Sequence, residues 1–168
     1  MPMKKNITLL LVLALSFTAF SQVDSIQPPY KKFPTYPPVK LLLPDSSNYY
    51  TKADLPKKLP IILMLFNPQC EHCQHETREL TKNIDKFKDL YIVMATFAPF
   101  DSMMKFRAQY NLASFKNIVV GQDTHYFLPS FFNIRNLPFH AFYNKKKELI
   151  SAFEGSLPLE RILSIYKD

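Results

Sequence analysis

The stretch IILMLFNPQCEHCQHE, residues 61–76, joins an uninterrupted apolar run to the two cysteines of the chain. An apolar run without alternation is typical of a strand that is buried on both faces of a parallel or mixed sheet. Asn67 and Pro68 end this run, and a helical spacing of apolar residues begins near Cys70. The stretch therefore predicts a buried strand that leads directly into a helix starting at a Cys-x-x-Cys pair.

The predicted helix extends from about Cys70 to Phe87 and has one face directed at the core. The residues of that face repeat at spacings of four and three: Cys73, Thr77, Leu80, Ile84 and Phe87. A second apolar run, residues 91–97, predicts another buried strand. Together they form a β-α-β unit, whose crossover should be right-handed.

Downstream of this unit the sequence predicts elements in the order α-β-α and then β-β-α. A helix capped by Asp101 or Ser102 is expected at 101–110, and a strand closed by Gly121 at 117–120. A short helix at 129–132 follows. The last elements are a hairpin of strands 139–143 and 148–153 and a helix at 158–166.

The N-terminal residues predict an export signal. Lys4 and Lys5 precede an apolar run, residues 7–20. Small residues at the end of this run form a signal-peptidase site. The run is short for a bilayer span of ~20 residues, so we expect removal of residues 1–21 by cleavage before Gln22. The signal therefore predicts an exported protein.

The segment between the signal and the globular domain is rich in proline. Residues 22–38 contain five prolines, a density that predicts an extended tether or an edge wrap without helix. Residues 39–168 are long enough for one domain, which should begin with short edge strands at 39–43 and 48–51. The net charge of +7 has a single dense basic run, residues 145–147, so a nucleic-acid partner is not expected.

The cysteine pair is better explained by chemistry than by structure. A disulfide that closes so short a loop removes little chain entropy, although an oxidising compartment would let it persist. At the first turn of a helix, free N–H groups and the helix dipole favour the ionised, nucleophilic form of Cys70. Cys73, one turn further along and facing inward, can resolve a mixed disulfide formed by Cys70.

Three polar neighbours could assist the pair. A protonated His72 would stabilise a thiolate, whereas Glu71 would oppose it. Glu76, three residues after Cys73, lies close enough on a helix to relay a proton, and a solvated surface glutamate fits its spacing equally well. His75 is interpreted as a surface residue.

Three segments together resemble the thioredoxin superfamily. They are the buried strand 61–66, the helix-start motif Cys70–Cys73 and the segment FNIRNLPF, residues 132–139. The resemblance implies an α/β, thioredoxin-like three-layer fold with a central mixed sheet, N-terminal edge strands and an extra βα insertion. It also implies a cis Pro138 opposite the cysteines, with Leu137 offering its backbone to substrate.

The extra βα segment, the export signal and Glu76 are similar to the TlpA/ResA-like branch, which comprises exported thiol-disulfide oxidoreductases of the bacterial envelope. That branch implies an enzyme that needs no cofactor beyond a redox-active disulfide, Cys70–Cys73. Its substrates would be protein thiols and disulfides. The protein would be a monomer and would have a membrane or periplasmic redox partner. Expected catalytic residues are Cys70, Cys73, Glu76, His72 and Pro138, with Leu137 and Gln69 binding substrate.

This sequence departs from the superfamily pattern at two sites. Gln69 stands where an aromatic residue usually precedes the first cysteine, and Met64 replaces the buried acid of cytosolic thioredoxins. The direction of electron flow stays open.

Two alternatives to an oxidoreductase remain. Cys70 and Cys73 could bind copper or zinc together with His72, His75 or His140, since sulfur and imidazole are suitable ligands for both metals. The chain could also be an interaction module whose cysteines are idle.

Overall fold

The computed structural model describes residues 27–167. The predicted signal peptide and its cleavage site lie outside these residues. No helix within 27–167 has the length and apolar composition needed to cross a membrane.

Seven strands and five α-helices make up the described fold. The strands are β1 (Leu41–Leu42), β2 (Tyr49–Tyr50), β3 (Ile61–Leu65), β4 (Tyr91–Thr96), β5 (Ile118–Gln122), β6 (Phe139–Tyr143) and β7 (Leu149–Glu154). The helices are α1 (Pro29–Lys32), α2 (Glu71–Lys82), α3 (Phe100–Gln109), α4 (Phe127–Phe132) and α5 (Leu159–Ser164). Short 3-10 turns cover Lys52–Asp54, Ile84–Phe87 and Leu112–Ser114.

The strands form one mixed sheet in the order β2-β1-β5-β4-β3-β6-β7. β3, β4 and β5 are parallel and occupy the centre, whereas β1 and β6 flank them in antiparallel orientation. β3 has strands on both sides, and its residues are all buried. The predicted mixed sheet and N-terminal edge strands are confirmed.

Both faces of the sheet are covered, as the apolar run of β3 predicts. Ile62 and Met64 face a core that includes residues of α2, α3 and α5. Ile61, Leu63 and Leu65 face the opposite core, which includes residues of α4 and of the segment before β1. This alternation follows from the two-residue repeat of a strand. The result is an α/β fold of three layers.

The predicted helix 70–87 is too long at its C-terminal end. α2 ends at Lys82, and a 3-10 turn follows it. The side-chain amide of Asn83 donates a hydrogen bond of 2.9 Å to the backbone oxygen of Glu79. Such side-chain bonds compete with the helical ladder, which accounts for the break at Asn83.

Two boundary predictions also require correction. α3 begins at Phe100 behind Pro99, and neither Asp101 nor Ser102 caps it. Gly121 lies inside β5 instead of ending it. A Cβ atom at Gly121 would stand 2.6 Å from the Cβ of Leu41, so glycine there permits the close approach of β1.

The proline-rich segment contains a helix, contrary to the prediction. Pro29 is the first residue of α1, a position where the missing N–H has no helical partner to lose. After α1 the chain follows the β6–β7 hairpin. The N–H of Tyr36 donates to the oxygen of Lys147 (2.9 Å), and the N–H of Leu149 donates to that of Pro34 (2.8 Å).

Candidate active site

Cys70 is held at the N-terminus of α2 by a short turn after β3. The side-chain oxygen of Asn67 accepts from the N–H of Gln69 (2.9 Å), and its backbone oxygen accepts from the N–H of Cys70 (3.0 Å). Cys70 is the N-cap residue, and its Sγ accepts a hydrogen bond from the N–H of Cys73 at 3.3 Å. The sulfur therefore lies where a helix favours negative charge, and it is partly exposed.

Cys73 lies one turn deeper and is fully buried. Burial raises the pKa of its thiol well above the usual range, and its hydrogen bond to Cys70 and the nearby charge of Glu76 act in the same direction. Both cysteines are free thiols, so the structure corresponds to the reduced pair. The two sulfurs thus differ in access, and burial opposes ionisation of the Cys73 thiol.

The loop that carries Pro138 faces the cysteine pair. The Leu137–Pro138 peptide bond is cis. The backbone oxygen of Leu137 lies 3.8 Å from the Sγ of Cys70, within reach of a weak hydrogen bond from the thiol. The loop therefore presents a backbone acceptor directly beside the accessible sulfur.

Glu154, at the end of β7, fixes this loop. Its Oε1 accepts from the N–H of Arg135 (3.1 Å), and its Oε2 accepts from the N–H and the side-chain amide of Asn136 (both 3.0 Å). The N–H of Gly155 donates to the oxygen of Pro138 at 2.7 Å. The position of Leu137 thus depends on the end of β7.

Glu76 and His140 form a buried pair on the sheet side of α2. They are 4% and 1% exposed, and the Oε1 of Glu76 lies 2.6 Å from the Nε2 of His140. The Oε2 of Glu76 accepts from the N–H of Leu157 at 3.3 Å. Within residues 27–167 neither ring nitrogen of His140 makes an aligned hydrogen bond, so the contact with Glu76 is defined by its short distance.

The remaining predicted residues lie at the surface. His72 and His75 are exposed on α2, and His75 borders a groove of about 340 Å³ that also reaches Glu76. Gln69 is exposed next to Cys70. Among residues 27–167 no three His, Cys, Asp or Glu side chains are grouped so that they could hold a metal ion. The imidazole of His140 instead contacts Glu76.

The structure also has an aromatic cleft beside Cys70, which the sequence did not predict. Phe97 and Tyr126 lie with ring centroids 5.3 Å apart and, with Asn67 and Gln69, border a cleft of about 310 Å³. Tyr126 is more than half exposed. Both aromatic residues follow the carboxyl ends of parallel strands, which is where ligands of α/β sheets bind. Their position after predicted strands could therefore have indicated this cleft. For Glu154 no sequence signal existed.

Solved structures with the same architecture include redox proteins. A secreted Mycobacterium tuberculosis disulfide oxidoreductase, homologous to E. coli DsbE, has a TM-score of 0.63 and 18% identity over 76% of this chain and 93% of its own. The pneumococcal exposed lipoprotein thioredoxin of Streptococcus pneumoniae has a TM-score of 0.55 and 23% identity over 74% and 94%. A 2-Cys peroxiredoxin of Plasmodium vivax has a TM-score of 0.59 and 12% identity over 76% and 87%.

These likenesses establish the thioredoxin-like fold of the chain, as the resemblance implied. No protein-family model matches the chain, and no curated protein matches its sequence. One fold hosts different activities, so the function of the chain depends on the chemistry of its site.

Proposed function

We propose that the chain is a thiol-disulfide oxidoreductase of the bacterial cell envelope, of the TlpA/ResA-like kind, that exchanges disulfides with protein substrates. The observation that carries the proposal is the asymmetry of the two sulfurs. Cys70 is accessible at a helix N-terminus beside the oxygen of Leu137, whereas Cys73 is buried behind it with a raised pKa. A nucleophile and a resolving thiol need these two environments.

The reaction has two exchange steps. In the first, the thiolate of Cys70 attacks a substrate disulfide, a mixed disulfide forms, and one substrate sulfur leaves as a thiolate. In the second, the thiol of Cys73 gives up its proton and its sulfur attacks Cys70, forming the Cys70–Cys73 disulfide and releasing the other substrate sulfur. The protein loses two electrons and the substrate gains them with two protons; the reverse sequence oxidises a substrate.

Glu76 is the proton acceptor that we assign to Cys73. Because the pKa of this thiol is raised, few thiolates exist at neutral pH and the second step needs a base. Glu76 is buried three residues further along α2, near enough for its charge to act on that thiol. His72 and Pro138 keep the supporting catalytic roles expected from the sequence.

A flexible polypeptide is the substrate that the surface fits best. The backbone of Leu137 offers hydrogen-bonding groups to an extended segment, and the cleft of Phe97 and Tyr126 next to Gln69 can take an apolar side chain beside the substrate disulfide. Export and a periplasmic or membrane redox partner complete the proposal. A secreted disulfide oxidoreductase among the proteins of similar fold supports the location.

Trapping of the mixed disulfide tests this function. A Cys73→Ser variant lacks the resolving thiol, so it should retain substrate proteins on Cys70 in envelope extracts under non-reducing conditions. The matched Cys70→Ser variant lacks the nucleophile and should retain none. Equal recovery from both variants, or no adduct on C73S, would contradict the proposal.

A further inference from the structure

We propose that His140 is a positioning residue that, with Glu76, forms a buried acid–base pair holding the proton that leaves Cys73. The inference rests on the proposed function and adds a second residue to its proton-transfer step. The contact of 2.6 Å between Nε2 and Oε1 is the observation from which it starts.

The separation of the two atoms requires a proton on one of them. Two bare lone pairs, one on nitrogen and one on a carboxylate oxygen, repel each other at 2.6 Å, so either the imidazole or the carboxyl group is protonated at this contact. With the Nδ1 of His140 unprotonated, the pair carries one proton and one negative charge. A second proton, arriving from Cys73, leaves the pair neutral.

The carboxylate of Glu76 is also fixed from two sides. β6 contributes His140 at Oε1, and the turn before α5 contributes the N–H of Leu157 at Oε2. These contacts tie α2 to two other elements at the level of the proton acceptor. Orientation of a base toward the thiol is what general base catalysis requires.

Packing alone does not account for a histidine at position 140. Its backbone neighbour across β3 is Met64, and its ring stacks on Phe142 with centroids 6.0 Å apart, so its surroundings are largely apolar. No residue within 27–167 forms a hydrogen bond with its Nδ1. A buried polar group in this condition is unfavourable, and an apolar side chain would fill the site without that disadvantage. Titratable groups kept in such places are characteristic of functional sites.

The pair lies between an internal cavity and the solvent. A cavity of about 10 Å³ touches Glu76 and His140 and is otherwise bounded by apolar residues. On the other side, Glu76 reaches the groove of about 340 Å³. The other titratable side chains of the groove are His75 and Glu79 of α2 and Glu160 of α5, whereas β3 and β4 present apolar side chains to the pair. Cys73 lies near enough for the charge of Glu76 to act on its thiol, and a proton on Glu76 can leave by the groove.

Ellman's reagent separates the two exchange steps in a single measurement. Cys70 attacks the reagent and releases one thionitrobenzoate ion; Cys73 then attacks the mixed disulfide and releases a second. The first phase reports on Cys70 and the second on deprotonation of Cys73. We would follow both phases by stopped flow across neutral and alkaline pH.

At neutral pH, Glu76→Gln should slow the second phase about 100-fold and His140→Phe about 10-fold, with the first phase unchanged. Both defects should shrink as pH rises, because hydroxide replaces the missing base. The E76Q/H140F double variant should resemble E76Q, since both residues act in one step. Arg78→Gln, on the exposed side of the same helix and away from the groove, should match the wild type.

Each remaining outcome decides between the two proposals. A slow second phase in E76Q with a normal one in H140F overturns the role of His140 and leaves the proposed function intact. Equal slowing of both phases in H140F also overturns it, because it indicates general disruption. Absence of a second phase in the wild type contradicts the proposed function itself. If H140F does not fold, His140→Asn provides the comparison. A second measurement uses the wild type, in which the imidazole NMR signal of His140 should shift between the thiol and disulfide forms. An unchanged signal overturns the inference.

Discussion

At the scale of single residues, one helical turn creates two different thiols. The Sγ of Cys70 accepts an N–H at the start of α2 and stays partly exposed, whereas Cys73 points into the core. The spacing of the pair sufficed to predict this difference, because three residues along a helix fix both depth and direction. The contact between Glu76 and His140 was not predictable, since the histidine comes from another element.

Thiol alkylation should reveal the raised pKa of Cys73. Iodoacetamide reacts with thiolates, so at mildly alkaline pH Cys70 should be modified first, and modification of Cys73 should increase as pH rises further. The raised pKa also links folding to pH. The contribution of protonated Cys73 to the free energy of unfolding is complete below the pKa of the unfolded thiol, about 8.5, and is lost as pH rises through the pKa of the folded thiol. Mass spectrometry of peptides measures both sites. Equal modification of the two native thiols would contradict the expectation; urea-unfolded protein, in which they should react alike, is the control.

At the scale of elements, the position of the Pro138 loop depends on the end of a strand. The carboxylate of Glu154 accepts three hydrogen bonds from Arg135 and Asn136, and the oxygen of Leu137 then lies beside Cys70. Hydrogen bonds to an ionised acceptor are among the stronger ones in proteins. β7 therefore helps to shape the site without contributing a reacting atom.

Weakening the hydrogen bonds by which Glu154 anchors the Pro138 loop should lower activity more than stability. Glu154→Gln replaces an acceptor oxygen by an amide that cannot accept, and we expect kcat/KM for a peptide disulfide to fall about tenfold, or about 1.4 kcal/mol. Steady-state kinetics and urea unfolding measure the two effects. Glu148→Gln is the matched control, because Glu148 accepts from Asn144 at the hairpin turn instead of from the loop. Equal losses in both variants would argue against an anchor.

At the scale of the whole molecule, the core extends into the segment before β1. Tyr36 is 1% exposed, and its ring lies 5.2 Å from that of Tyr143, centroid to centroid. Val39 is buried in the same core, and Thr35 forms a bridge with Glu148. The end of the proline-rich segment thus packs in the core on the face of the sheet opposite the cysteines.

Two substitutions of Tyr36 should separate its ring from its hydroxyl. Tyr36→Ala removes a buried ring and should lower the free energy of unfolding by about 3 kcal/mol. Within residues 27–167 the hydroxyl has no hydrogen-bond partner, so Tyr36→Phe should change stability by less than about 0.5 kcal/mol or increase it. Urea unfolding of both variants is the measurement. A large loss in Y36F would mean that the hydroxyl is bonded after all.

The sequence by itself determined the buried central strand, the helix that starts at Cys70 and the inward direction of Cys73. Each of these follows from short-range rules: an apolar run, a two-residue strand repeat and the spacing of one helical turn. Helix ends were less well determined, as Asn83 and Pro29 illustrate, because single side-chain bonds and proline at the first turn decide them.

Only the tertiary structure decided which distant residues complete the site. His140 reaches Glu76 because β6 pairs with β3 in the register that places it opposite Met64, and Glu154 reaches Asn136 because β7 ends beside the Pro138 loop. A shift of one residue in either register would turn these side chains to the other face of the sheet. Such registers arise from the packing of both cores at once, which no local pattern of residues encodes.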